Sequence, residues 1–197
     1  GLSPTAALAR LTDRLGVKAR VLAMCEEQVR TEIQTTGGRW IGLQEFLIRE
    51  RGEAPIADVR FAGADRAALA PDTAAAIATA EAIVIGPSNP IISIGPILAV
   101  PGMREALRAA AAPCVAVSPI VGGRVLKGPT AAFLAWAGLP PGAAGIVAGY
   151  AGLIDGLVAD ERVDGIPTLE TDILMDGPGG RRRLAAEALS FVAGLAE

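Results

Sequence analysis

Two segments of the sequence combine hydroxyls and glycines in a pattern that suits a phosphate ligand. The first runs from Gly86 to Pro96 and the second from Ser118 to Lys127, and each follows a short apolar stretch. Glycine allows close approach of the backbone, amides and hydroxyls bind phosphate oxygens, and a lysine adds a point charge. The candidate binding residues are Gly86, Pro87, Ser88, Asn89, Ser93, Ile94, Gly95, Pro96, Ser118, Gly122, Gly123 and Lys127, with Arg30 further upstream.

Ordinary turns are the alternative interpretation of both segments, since Gly, Pro, Ser and Asn after a strand each have a local conformational reason. Neither segment matches the P-loop pattern or the dinucleotide fingerprint. Asp155 and Asp160 could bind a metal or a guanine edge, or be plain strand-end carboxylates, and Arg30 could hold a phosphate or be a surface cation. Residue patterns alone therefore indicate an α/β domain and leave open whether it binds a phosphorylated ligand.

The composition excludes several chemistries. The chain has no histidine and two cysteines, so it cannot by itself form a Ser-His-Asp triad, a Cys-His pair or a tetrahedral zinc site. A metal would be magnesium before any other, but no metal-ligand pattern is present and no catalytic residue is assigned. A formal charge of −3 gives no strong field for nucleic acid, and Gly and Pro interrupt the apolar runs before they reach membrane-spanning length. Both thiols are expected to be reduced, in the cytoplasm, and Trp40, Trp136 and Tyr150 are expected to be packing anchors.

Short apolar strands that alternate with helices predict the fold class: α/β, a three-layer Rossmann-like fold with a mostly parallel sheet, plus a small N-terminal β-hairpin insertion. Residues 1–197 are interpreted as a single α/β domain, with a hairpin–helix insertion at 28–58. Strands are predicted at 17–24, 29–35, 39–43, 59–63, 82–86, 114–118, 153–160 and 168–174. Helices are predicted at 3–15, 43–51, 72–80, 101–111 and 129–137, and a last helix is predicted to bury Leu184, Ala188, Phe191 and Leu195.

The two glycine-containing segments are expected to lie side by side. They follow strands separated by one helix, and a right-handed crossover brings the carboxyl ends of such strands to the same edge of the sheet. A shared cleft is therefore predicted at that edge.

The same segments resemble the signature of the 2-phospho-L-lactate transferase family of coenzyme F-420 biosynthesis. The similar runs are Gly86–Pro90, Ser93–Gly102, Ser118–Gly123 and Lys127–Pro129. The resemblance extends over nearly the whole chain through three further runs, Val29–Thr31, Gln44–Phe46 and Thr171–Met175.

The resemblance implies a transfer reaction. A guanylylated donor, such as lactyl- or enolpyruvyl-diphospho-guanosine, would give its phospho-organic acid to the hydroxyl of the deazaflavin Fo, with GMP as the leaving group. Magnesium would assist, bound mainly by substrate phosphates and by residues that are not in this chain. The donor and Fo are the implied partners, with no nucleic acid and no membrane, and a homodimer is left open.

The chain also departs from the family pattern. Family members begin with a glycine-rich segment followed by aspartates and an arginine, which is not found ahead of Gly1, and residues 23–27 differ from the usual proline, hydroxyl and aspartates. The chain is therefore expected to be a fragment or a degenerate relative without stand-alone turnover. Two other hypotheses remain, an inactive guanine-nucleotide-binding module and an unrelated α/β domain that binds a sugar nucleotide or phosphate.

Overall fold

A computed structural model describes residues 1–125 and 128–196 of the chain. The helices are α1 (Pro4–Arg14), α2 (Leu43–Ile48), α3 (Pro71–Ala78), α4 (Gly95–Leu98), α5 (Met103–Ala109), α6 (Thr130–Trp136), α7 (Gly142–Gly149) and α8 (Gly177–Gly194), with a short 3-10 turn at Ala64–Arg66. The strands are β1 (Arg30–Thr35), β2 (Trp40–Gly42), β3 (Ile56–Ala62), β4 (Ile83–Ile85), β5 (Cys114–Val117), β6 (Ile120–Val121), β7 (Arg124–Val125), β8 (Gly156–Ala159) and β9 (Thr168–Glu170).

A four-stranded parallel sheet forms the centre of the protein. Its strand order is β4-β5-β8-β9, and every pairing within it is parallel. Strands β5 and β8 occupy the middle and are buried at every residue. This burial explains their uninterrupted apolar sequences, because a strand covered on both faces has no solvent side.

Helices cover both faces of this sheet. Alternate residues of β5 and β8 point to opposite sides, so that Ala116 and Leu157 pack with the layer of helices α3 to α7. On the other face Val117 and Val158 pack against Leu184 and Ala188 of α8. The predicted fold class, a three-layer α/β fold, is confirmed.

A second, smaller sheet is antiparallel, with the order β2-β1-β3. Its core contains Ile33 of β1, Phe46 of α2 and Phe133 of α6, and the rings of Phe46 and Phe133 meet edge to face at 5.7 Å. The small sheet also reaches the first candidate segment, because a Cβ on Gly95 would lie only 2.7 Å from Cζ of Phe61 in β3. Glycine at position 95 therefore permits this close packing.

The prediction of a strand at residues 17–24 is wrong. The end of this stretch bonds to the region of α3 instead of to a neighbouring strand: the Met24 carbonyl accepts from the Ala70 amide at 3.0 Å, and the Ala23 carbonyl accepts from the Thr73 hydroxyl at 2.7 Å. Residues 15–21 are exposed. Their apolar side chains therefore do not form the buried face that a strand of the main sheet requires.

Helix α7 was not predicted from the sequence, because its run of Gly and Ala carries weak helical periodicity. Its Gly145 lies against the preceding loop so closely that a Cβ would overlap the carbonyl oxygen of Pro140.

The β6–β7 hairpin was predicted only as a glycine turn. Its two turn residues, Gly122 and Gly123, have φ of 57° and 69°, which a two-residue type I′ turn requires.

We expect Gly145→Ala to destabilise the protein, although alanine is the better helix former. The added methyl group would have to displace the Pro140 carbonyl, and overpacking of this kind costs about 1–3 kcal/mol. The matched control is Gly149→Ala in the same helix, where the nearest atom to a Cβ is Leu139 Cδ1 at 3.5 Å. Urea unfolding would measure both variants, and equal or higher stability of Gly145→Ala would contradict the close packing.

Candidate functional site

The two candidate segments meet in a cleft of about 430 Å³ at the carboxyl edge of the parallel sheet. The cleft lies beyond β4 and β5, as expected for a ligand site in an open parallel sheet. Its volume falls within the range of small-molecule sites. Its lining residues are Leu47, Pro87, Ser88, Asn89, Ile92, Ser93, Ser118, Pro119, Val121, Gly128, Pro129, Thr130, Ile173, Leu174 and Met175.

Asn89 joins the two walls of the cleft. Its Oδ1 accepts hydrogen bonds from the backbone amides of Ile91 at 2.9 Å and Ile92 at 3.1 Å. Its Nδ2 donates to Oγ1 of Thr130, which begins α6 on the opposite wall, at 3.3 Å. Since the Asn89 side chain is buried and bonded at both ends, its first role is to shape the cleft.

Ser118 fixes the second segment in a similar way. Its amide extends the pairing of β5 with β8 by donating to the Val158 carbonyl at 2.8 Å. Its hydroxyl accepts from the Ile120 amide at 3.1 Å and is almost completely buried. The chain therefore turns sharply at Ser118 and enters the β6–β7 hairpin.

Ser88 and Ser93 differ from these two residues. Both line the cleft and are half-buried, and neither side chain is hydrogen-bonded to another described residue. Their hydroxyls are therefore available to a ligand, which makes them the strongest candidates for direct contact.

The structure separates the other predicted site residues into three groups. Pro87 lines the cleft, and Gly86 lies directly before it at the end of β4. Ile94, Gly95 and Pro96 do not line the cleft; Ile94 packs into the main core and the other two begin α4. The remaining residues are the hairpin turn Gly122 and Gly123, the exposed Arg30 at the start of β1, and Lys127, which lies outside the described residues.

Sequence reasoning did not assign several residues that line the cleft. Thr130 can be identified as a site residue only from its hydrogen bond to Asn89, which lies 41 positions earlier in the sequence. Leu47 comes from α2, and Ile173, Leu174 and Met175 come from the segment after β9. The similarity of residues 171–175 to the family was the one signal that pointed toward this wall.

Asp155 is a structural residue at the opposite edge of the sheet. It precedes β8, and its Oδ2 accepts from the Cys114 amide at 2.8 Å. Its own amide donates back to the Cys114 carbonyl at 2.7 Å. This reciprocal pair fixes the start of β5 next to β8, so the interpretation of Asp155 as a strand-end carboxylate is the one that fits.

The cleft contains no acidic side chain among the described residues that line it. In the same part of the chain, no group of three or more His, Cys, Asp or Glu residues could hold a metal ion. The described residues therefore do not form a metal cage of three or more such side chains.

Both cysteines are free and buried. Burial raises the pKa of Cys114 to about 11, and the nearby Asp155 carboxylate adds to this effect. Burial also raises the pKa of Cys25, with a contribution from Glu27. Neither thiol is therefore a reactive nucleophile near neutral pH.

The fold resembles that of a solved protein of the UPF0052 family from Bacillus halodurans. The TM-score is 0.62 at 16% sequence identity, and the similarity covers 91% of this chain and 64% of that protein. At this identity the comparison shows a shared fold only.

Sequence comparisons show the family. The model of the family 2-phospho-L-lactate transferase CofD matches residues 1–171. A phosphoenolpyruvate transferase from Mycobacterium avium is 36% identical over 97% of this chain and 61% of its own length. A 2-phospho-L-lactate transferase from Methanopyrus kandleri is 35% identical over 98% of this chain and 64% of its own length.

The chain belongs to the 2-phospho-L-lactate transferase family, and the resemblance seen in the sequence is confirmed. Its relatives carry the names of transferases. The chain spans about three fifths of the length of these curated relatives. No helix among residues 1–125 and 128–196 is long and apolar enough to cross a membrane.

We expect Asn89→Ala to lower the free energy of unfolding by about 2–3 kcal/mol. The change leaves the Ile91 and Ile92 amides without their acceptor and removes the bond to Thr130, and an unsatisfied buried donor costs about 1–3 kcal/mol. The control is Ser88→Ala, which removes a hydroxyl with no described protein partner and should change stability by less than about 0.5 kcal/mol. Urea unfolding midpoints that coincide for the two variants would contradict the shaping role of Asn89.

Proposed function

We propose that this chain forms the donor-binding part of a transferase that moves a phospho-organic acid from a guanosine-diphosphate-linked donor to the deazaflavin Fo. The acid is phospholactate or phosphoenolpyruvate, GMP is released, and the reaction takes place in the cytoplasm. Membership of the family supports a transferase. The alternative within the same family is a module that binds guanine nucleotide without turnover.

One observation carries this proposal: the two segments that resemble the family signature converge on a single cleft. Helix α5 and strand β5 lie between them in the sequence, and the parallel pairing of β4 with β5 brings them together. A cleft formed by both halves of a signature is the natural place for the ligand that the signature serves.

The chemistry of the cleft suits a diphosphate ester. The Ser88 and Ser93 hydroxyls donate to phosphate oxygens, and hydrogen bonds to a charged acceptor are stronger than neutral ones. Leu47, Ile92 and Ile173 supply apolar walls, which exclude water and strengthen these bonds. In this proposal the described residues bind and orient the donor, and proximity to the acceptor accounts for much of the rate.

Magnesium remains a prediction from the family resemblance. The cleft residues described here offer hydroxyls and an amide but no carboxylate, so no step of the transfer is assigned to a metal held by them. When bound, the ion would neutralise charge on the phosphate oxygens.

We predict that the chain binds GMP or GDP more tightly than AMP or ADP in calorimetric titration. Ser88→Ala should weaken GDP binding by about 1 kcal/mol, roughly fivefold, because one hydroxyl–phosphate hydrogen bond is lost. Ser190→Ala on the exposed side of α8 is the matched control and should leave the affinity unchanged. Equal affinities for guanine and adenine nucleotides would overturn the assignment of the cleft.

The transfer itself is tested by incubating the chain with magnesium, a guanylylated donor and Fo, and measuring the mass of the product. Because no carboxylate lines the described cleft, we expect nucleotide binding without appreciable transfer by this chain alone. Phosphorylated deazaflavin formed by the chain alone would show that the acceptor and metal sites lie among residues interpreted here as structural. Absence of both binding and product would reject the donor-binding role.

A further inference from the structure

Two consecutive carboxylates at the carboxyl end of β8 hold the long connection between β5 and β8. Oδ2 of Asp160 accepts a hydrogen bond from the backbone amide of Gly122, at the tip of the β6–β7 hairpin. Oε1 of Glu161 accepts from the amide of Ala143, at the start of α7, at 2.8 Å. The end of a buried strand thereby fixes two separate parts of the connection.

The hairpin needs such an anchor. Each of its strands has two residues, and a hairpin of this size is not stable by itself in water. Ser118 holds its beginning through the Ile120 amide, and Asp160 holds its tip. Val121 of β6 lines the cleft, and the wall formed by Gly128 and Thr130 follows soon after β7.

The environment of Asp160 indicates more than a contribution to stability. Its second oxygen, Oδ1, is buried and makes no hydrogen bond to any described residue. Among the described residues, the Asp160 side chain therefore bonds only to the hairpin, through Oδ2. The carboxylate is suited to hold one amide strongly, because a charged acceptor forms a stronger bond than a neutral one.

We infer that Asp160 is a positioning residue for the cleft: it fixes the β6–β7 hairpin so that Val121 and the 128–130 wall stand in place for the nucleotide-linked donor. It acts through Gly122 and does not itself line the cleft. This inference rests on the proposed function for its ligand. The anchoring of the hairpin can be measured without any ligand.

Asp155, at the other end of β8, provides a matched control. Asp155 precedes β8, whereas Asp160 follows it. Like Asp160, it accepts a hydrogen bond from a backbone amide through its Oδ2, in this case the amide of Cys114 at the start of β5. This second bond lies at the edge of the sheet opposite the cleft. Comparing the two variants therefore separates loss of a carboxylate–amide bond in general from loss of the hairpin anchor.

The test compares Asp160→Ala, Asp160→Asn and Asp155→Ala by amide hydrogen exchange and by titration with GDP. Asp160→Ala should speed exchange in residues 119–125. It should also weaken GDP binding by up to about tenfold, because loss of a charge-assisted hydrogen bond lowers the fraction of molecules in which the hairpin is in place. Asp160→Asn keeps an acceptor oxygen and should restore part of the slow exchange and part of the GDP affinity. Asp155→Ala should lower the unfolding midpoint without changing the GDP affinity.

Unchanged exchange in residues 119–125 of Asp160→Ala would overturn the inference, whether or not the wild type binds nucleotide. Faster exchange with an unchanged GDP affinity would overturn it as well, because the anchoring of the hairpin would then have no effect on ligand binding in the cleft. A wild-type chain that binds no guanine nucleotide would reject the proposed function, and the exchange data would still decide the anchoring.

Discussion

The cleft depends on a single buried amide side chain, that of Asn89. With its oxygen it closes the turn after β4, and with its nitrogen it holds the hydroxyl of Thr130 at the start of α6. The backbone carbonyl of the same residue accepts from Ser93 and Ile94, which places the rest of the first segment. Since the amide bonds in two directions at once, neither wall can move without breaking a buried hydrogen bond.

The small antiparallel sheet has a part in the same site. Its core includes Ile92 from the first segment and Phe133 from α6, so it packs against both walls from behind. Its helix α2 adds Leu47 to the lining. The side chain of Phe61 occupies the space that the missing side chain of Gly95 leaves open. The small antiparallel sheet and helix α2 are therefore part of the frame of the cleft as well as an addition to the α/β fold.

Much of this arrangement could be predicted because buried parallel strands have continuous apolar sequences. Strands β4, β5 and β8 were recognised in this way, and parallel pairing then required their carboxyl ends to share an edge. What could not be predicted depends on contacts between distant residues. Asn89 meets Thr130 across 41 positions, Ile173 reaches the cleft after β9, and α7 packs closely against Pro140 through Gly145. Residues 17–24 were assigned wrongly because apolar content does not by itself provide a neighbouring strand.

The burial of both thiols has a consequence for how ligand binding responds to acidity. Histidine is the side chain whose ordinary pKa lies between about 5 and 8, and the chain has none. The pKa of each cysteine moves upward, away from this range. A phosphate monoester, by contrast, loses its second proton near pH 6. An affinity for GMP or GDP that changes through that range would thus trace the titration curve of the nucleotide's own terminal phosphate. The bound nucleotide, and no histidine or cysteine, would then be the proton-sensitive group.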